Sequence, residues 1–180
     1  MAHRRNTFTI LLLMGCVLGW MGLDGESWAR IRIGKEAEIR ADAKTVQAIE
    51  DTFNLAEEAL HQRDLNSLME LYSKDYHYQD LTKKDIRGIW KDFFRKYHNI
   101  ATSHSFSRIV VKGGTPPTAE ILCTGSIWAT SNQTDQRVNL ASWLGDIHFL
   151  VYENGAWRIR GQDRKSPDLK PFGGAPPPLF

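Results

Sequence analysis

The sequence predicts an α+β fold of two layers, with three helices in the first half packed on one side of a curved antiparallel sheet. Three observations point to it. Apolar residues recur at helical spacing as far as Tyr97, the period changes to two from His104 onward, and turn residues punctuate the second half at short intervals. A chain of 180 residues that is 42% hydrophobic has room for one domain with a real core plus tails. The formal net charge of +2, without a dense Lys/Arg stripe, excludes a nucleic-acid footprint.

Residues 1–29 have the form of an export signal and stand outside the fold: Arg4 and Arg5 precede an apolar run from Phe8 to Leu23, and small polar residues follow. Ser27 and Ala29 put small side chains at the two positions a signal peptidase reads, which predicts cleavage before Arg30. Leu13-Met14-Gly15-Cys16 also looks like a bacterial lipobox, which would make Cys16 a lipidated N-terminus. An uncleaved anchor is the third reading, although the apolar run falls short of the roughly 20 residues a spanning helix needs. Each of them leaves the domain exported, either periplasmic or membrane-anchored. The membrane is then touched only through this N-terminal segment.

Residues 30–41, RIRIGKEAEIRA, are charged and weakly patterned and read as a spacer. The domain proper is expected over 42–162. Val46, Ile49, Phe53, Ala56 and Leu60 fall on one stripe of a first helix. Asp64 can cap a second helix carrying Leu65, Leu68, Met69, Leu71 and Tyr72. Thr82, with Asp85 three residues later, can cap a third whose stripe is Ile86, Ile89, Trp90, Phe93, Phe94 and Tyr97. Between the second and third lies LYSKDYHYQD. As a strand it would put Tyr76, Tyr78 and Asp80 on one face.

Four runs rich in Ile, Val, Trp and Phe follow and read as consecutive antiparallel strands. Gly113 to Pro117 makes one connection, Ser131 to Gln136 another, and Glu153-Asn154-Gly155 is a tight-hairpin signal. The tail over 163–180 holds too much Pro and Gly to build a core. The two cysteines are Cys16 and Cys123, so the domain is held by its core and not by disulfides. Cys123, in an alternating apolar run, reads as a small buried residue rather than a nucleophile.

These residues resemble the nuclear transport factor 2-like superfamily, which includes SnoaL-like domains and ketosteroid isomerase. The features that carry the resemblance are EALHQRDLNSLMELYSKDYHYQD, the aromatic helix IWKDFFRKY and the closing hairpin HFLVYENGAWRI. The resemblance implies a cone-shaped curved sheet with the three helices on its concave side. The mouth of such a cone holds a small ligand, an active site or a partner segment. It further implies a general-base aspartate at Asp80, sixteen residues beyond Asp64. The tyrosine that would donate to an oxyanion falls at Ala56, and its partner acid at Ile147, so neither position carries the needed chemistry. Asp146 is one residue away from the second position, and only a bulge or slipped register would turn it inward.

The catalytic expectation is therefore Asp80 as base with Tyr78 or Tyr76 as polarising donor. Against it stands the ordinary role of an aspartate that opens a polar loop before a helix cap. The expected pocket is lined by Tyr76, Tyr78, Phe53, Tyr72, Trp90 and Trp143, while Trp90, Trp128, Trp143 and Trp157 also read as core. The scattered histidines form no local ligand pair, so neither a metal nor any cofactor is expected. Asp146-Ile147-His148 reads as a polar patch on the outer sheet, with an acid/base pair as the alternative.

Three functions fit this pattern. The leading one is an exported domain that binds a small apolar ligand or a partner peptide without catalysis. The second is an isomerase, dehydratase or hydrolase that uses Asp80. The third is an assembly module, a homodimer formed through a strand face of Leu144, His148, Leu150 and Tyr152.

Overall fold

The computed structural model describes residues 30–163, in the order β1 (Arg30–Arg40), α1 (Ala43–Gln62), α2 (Leu65–Glu70), β2 (His77–Tyr78), β3 (Leu81–Thr82), α3 (Lys83–Lys96), β4 (Tyr97–Lys112), β5 (Thr118–Ser131), β6 (Arg137–Glu153) and β7 (Ala156–Asp163). The expected export signal over 1–29, its Cys16 and nearly all of the tail over 163–180 lie outside the described residues.

Each helix starts where a side chain satisfies the free backbone N–H groups of the first turn. The Asp42 carboxylate accepts from the Thr45 N–H at 2.9 Å, and the Asp64 carboxylate accepts from Asn66 and Ser67. At α3 the Asp85 carboxylate accepts from the Thr82 N–H at 2.9 Å, which forms the capping box that the sequence predicts. The apolar stripes then meet in a single core. Ile49, Phe53, Ala56 and Leu60 of α1 and Ile86, Trp90, Phe93 and Phe94 of α3 are all buried. The buried Trp90 indole donates to the Tyr72 phenol at 2.9 Å, which satisfies two polar groups that would otherwise be costly inside.

The five-stranded sheet runs β1-β4-β5-β6-β7, with β2 and β3 forming a small separate hairpin. The sheet is curved and unclosed, with the helices at its N-terminal side. From β4 to β7 it is an antiparallel meander. Asn154 and Gly155 close the last hairpin with φ of 52° and 80°, the doubly left-handed turn whose twist matches the flanking strands. Gly125 permits a close approach between neighbouring strands. A Cβ there would collide with the Ser103 carbonyl and the Trp143 ring.

Several expectations are corrected. Residues 30–41 are not a spacer over most of their length: β1 pairs parallel to β4, with Ile33 opposite Phe106 and Ile39 opposite Ile109. Its exposed charges are those of an edge strand. Strand β4 begins at Tyr97, directly from α3 and well before His104. Trp128 is 43% exposed and is not core. Leu144, His148, Leu150 and Tyr152 do not share a face, because Leu144 is 73% exposed while His148 and Leu150 are buried.

Candidate functional site

Asp80 stands exposed in the two-residue turn Gln79-Asp80 that joins β2 to β3, where Tyr78 pairs with Leu81. Gln79 takes a left-handed φ of 53°, so the chain reverses there instead of running on as a strand. The shared face expected of Tyr76, Tyr78 and Asp80 is therefore lost. Asp80 is exposed and does not face the interior. The predicted base is a turn residue.

The other predicted residues fall into three places. Tyr72, Tyr76 and Trp90 are solid core, with the two tyrosine rings packed edge to face at 5.2 Å. Burial pushes both phenols well above their ordinary range, so neither yields a proton easily. Tyr78 is half-buried and lines a pocket of about 460 Å³ between the β2–β3 turn and the rim of the sheet. Phe149 shares the lining, and Lys112, Arg160, Gln79 and Gln162 bring polar groups to it. The hairpin that makes one wall is held close by Gly161, where a Cβ would collide with the His77 carbonyl.

Phe53 and Trp143 belong to the third place, a buried polar cluster between α1 and the sheet. His104 of β4, Cys123 of β5 and Asp146 and His148 of β6 all point there, with Glu57 facing them from α1. The Phe53 ring lies 5.3 Å from His104 and 6.0 Å from His148, and Trp143 lies 5.3 Å from His104. The Trp143 indole donates to Cys123 Sγ at 3.4 Å, and Cys123 Sγ lies 3.5 Å from His104 Nδ1. Gln162 donates to the Asp146 carboxylate at 3.0 Å, so one side chain touches both the outer pocket and the inner cluster.

Burial dominates the electrostatics here. Desolvation lifts Glu57 to about 8, partly offset by a hydrogen bond from the Thr102 N–H, and pushes His104 down to about 3. The 3.5 Å contact between Glu57 Oε1 and His104 Nε2 therefore joins two neutral groups at neutral pH and is no ion pair. Cys123 is pushed up to about 12, which makes it a protonated thiol, as expected of a buried structural cysteine. Among the described residues, His104, Cys123 and His148 form the one donor set that could hold a metal ion.

Sequence reasoning missed this cluster. The expected polar patch of Asp146 and His148 on the outer sheet is instead inside, 0% and 1% exposed. A bulge at Gly145 turns Asp146 inward, while Ile147 takes the opposite face. The two histidines and the cysteine come from three strands, so no local spacing could announce them.

No protein-family model matches the chain, and no curated protein matches it. Solved structures do. A conserved protein from Planctomyces limnophilus is 16% identical with a TM-score of 0.56, the match covering 68% of this chain and 96% of that one. Aln2 from a Streptomyces species is 12% identical at a TM-score of 0.54, covering 72% and 96%. A ketosteroid isomerase-like protein from Erwinia carotovora atroseptica is 14% identical at a TM-score of 0.50, covering 70% and 100%. Identities this low speak to the fold alone, and the fold is nuclear transport factor 2-like.

Proposed function

We propose that the domain is a small-molecule receptor whose guest sits between the β2–β3 turn and the sheet rim, and that it does no chemistry through Asp80. The observation that carries this reading is the 460 Å³ pocket, a volume in the range that small ligands occupy. Its walls are mixed. Tyr78 and Phe149 offer apolar surface, while Arg160, Gln79 and Gln162 offer hydrogen bonds. An amphipathic guest fits this lining better than the purely apolar one expected from the sequence. Lys112 contributes less, because Glu120 engages its ammonium group.

Loss of Asp80 as an inward base removes the support for the enzyme reading. The proposal keeps the exported location, whose support is the Arg4-Arg5 and apolar pattern of the N-terminal segment. A fluorescence titration with 8-anilino-1-naphthalenesulfonate, a flat aromatic anion, tests the pocket. We expect saturable one-site binding that weakens about tenfold in Tyr78→Ala and in Arg160→Ala and is unchanged in Asp80→Asn, a loss of the size expected for one good contact. Binding that ignores both pocket substitutions would refute the assignment.

A further inference from the structure

Three strands bring two imidazoles and a thiol to one point in the interior. His104, Cys123 and His148 each offer one donor atom, and these atoms all lie within 4.8 Å of one another. Strand register produces the grouping. Phe106 pairs with Cys123, so His104 is its diagonal neighbour on the same face, and Ile121 pairs with His148, which makes His148 the diagonal neighbour on the other side. Neither diagonal can be read from the sequence.

We propose that this triangle is a metal site, built for a transition-metal ion of the zinc type held by the Cys123 thiolate and one nitrogen each of His104 and His148. The first argument is spacing. Donors at about 2.3 Å for sulfur and 2.0 Å for nitrogen around a tetrahedral ion stand roughly 3.5 Å apart, and Cys123 Sγ lies 3.5 Å from His104 Nδ1. A thiol–imidazole hydrogen bond alone would account for that one pair. The second imidazole, His148, also brings a donor atom within 4.8 Å of both, so the grouping is one of three donors and not of two.

The surroundings are the second argument. Once Nδ1 of His104 faces the sulfur, its Nε2 faces the Glu57 carboxyl at 3.5 Å, the arrangement by which a carboxyl group orients a metal-bound imidazole. The Trp143 N–H that reaches Cys123 Sγ would stabilise negative charge on the sulfur, the form that binds metal. Asp146, cross-strand from Cys123 and buried, is held by Gln162 outside the three-donor group, which leaves the fourth position of a tetrahedral ion to a water or another small ligand. Nitrogen and sulfur donors also decide the kind of ion. Calcium and magnesium require oxygen ligands, whereas thiolate with imidazole suits zinc and its neighbours.

Binding replaces the Cys123 S–H bond with a sulfur–metal bond and releases one proton to solvent. No electron moves. The site is separate from the rim pocket, so it stands whether or not that pocket binds a guest.

Cobalt(II) tests the site, because a thiolate ligand gives it a charge-transfer absorption and tetrahedral geometry gives it strong visible bands. The full chain, stripped with a chelator and titrated anaerobically, should take up one equivalent with both signatures, and zinc(II) should displace it. Cys123→Ser should abolish the charge-transfer band, and His148→Gln should weaken cobalt affinity about ten- to hundredfold. His98→Gln, at a histidine outside the cluster, should change nothing. Wild-type protein that shows no charge-transfer band in excess cobalt overturns the proposal, and it does so even if the variants fail to fold. A band that survives in folded Cys123→Ser overturns it equally.

Discussion

Replacing Glu57 with Gln should abolish a loss of stability at alkaline pH, and the size of that loss follows from burial. In the metal-free protein Glu57 lies in the interior, where desolvation lifts it from 4.5 to about 8. Between those values the native state keeps a proton that the unfolded chain releases, so stability falls as pH rises. His104 works in the opposite sense. Its imidazole is pushed from 6.5 down to about 3, so the unfolded chain takes up a proton that the native state refuses, and stability falls as pH drops below 6.5. Between 4.5 and 6.5 the two slopes oppose each other, which predicts a plateau.

Of these two groups, Glu57 alone still acts above pH 6.5, and Cys123, raised from 9.0 to about 12, begins to act above pH 9. At about 1.4 kcal/mol per pH unit, the wild type should lose roughly 2 kcal/mol between pH 6.5 and 8. Urea denaturation with a chelator present, at pH 5.5, 6.5 and 8, measures it. Glu57→Gln preserves the side-chain shape and an oxygen for the Thr102 N–H, and its stability should be flat across the upper interval. A wild type equally stable at 6.5 and 8, or a Gln variant that still falls, would refute the reasoning.

Gly161→Ala should destabilise the domain by about 1 to 3 kcal/mol, because its Cβ would collide with the His77 carbonyl and the β2–β3 hairpin would have to move. The same variant should lose naphthalenesulfonate binding, since that hairpin carries Tyr78; thermal melting and the titration together check it. For the N-terminal segment, the lipobox reading predicts that cells fed a labelled fatty acid incorporate label into the wild type and not into Cys16→Ser, whereas cleavage before Arg30 predicts no label in either. Absence of label from the wild type would leave ordinary cleavage or an uncleaved anchor.

The parts of the fold that the sequence makes legible are those decided by neighbours along the chain. A helix stripe such as Ile86, Trp90, Phe93 and Phe94 recurs every three or four residues, and a capping box needs only Thr82 and Asp85. Asn154-Gly155 likewise contains its own turn geometry. Strand β1 escapes this logic, since its partner β4 lies some seventy residues away and its charged side chains suit an exposed edge. Asp80 escapes it for a different reason: whether a short run such as HYQD continues or reverses depends on the left-handed φ of Gln79, a residue with no strong preference for it.

The polar cluster was hidden by a rule that is usually right. Charged and polar residues in a strand pattern are assigned to the wet face, and the alternation of β6 is then extended unbroken in both directions. Unbroken alternation would put Trp143 and Asp146, three residues apart, on opposite faces. Gly145 prevents it: at φ 68° the strand bulges, the Gly145 N–H turns to the Thr124 hydroxyl at 3.1 Å, and both side chains come to lie on the same side of the sheet. The strand thus has two phases. Before the bulge it contributes the indole that reaches Cys123, and after it the carboxylate and imidazole that share the same interior. One extra residue in one strand decides whether the interior is an apolar core or a chamber of ionisable groups, which is why the chemistry of this site lies in register rather than in composition.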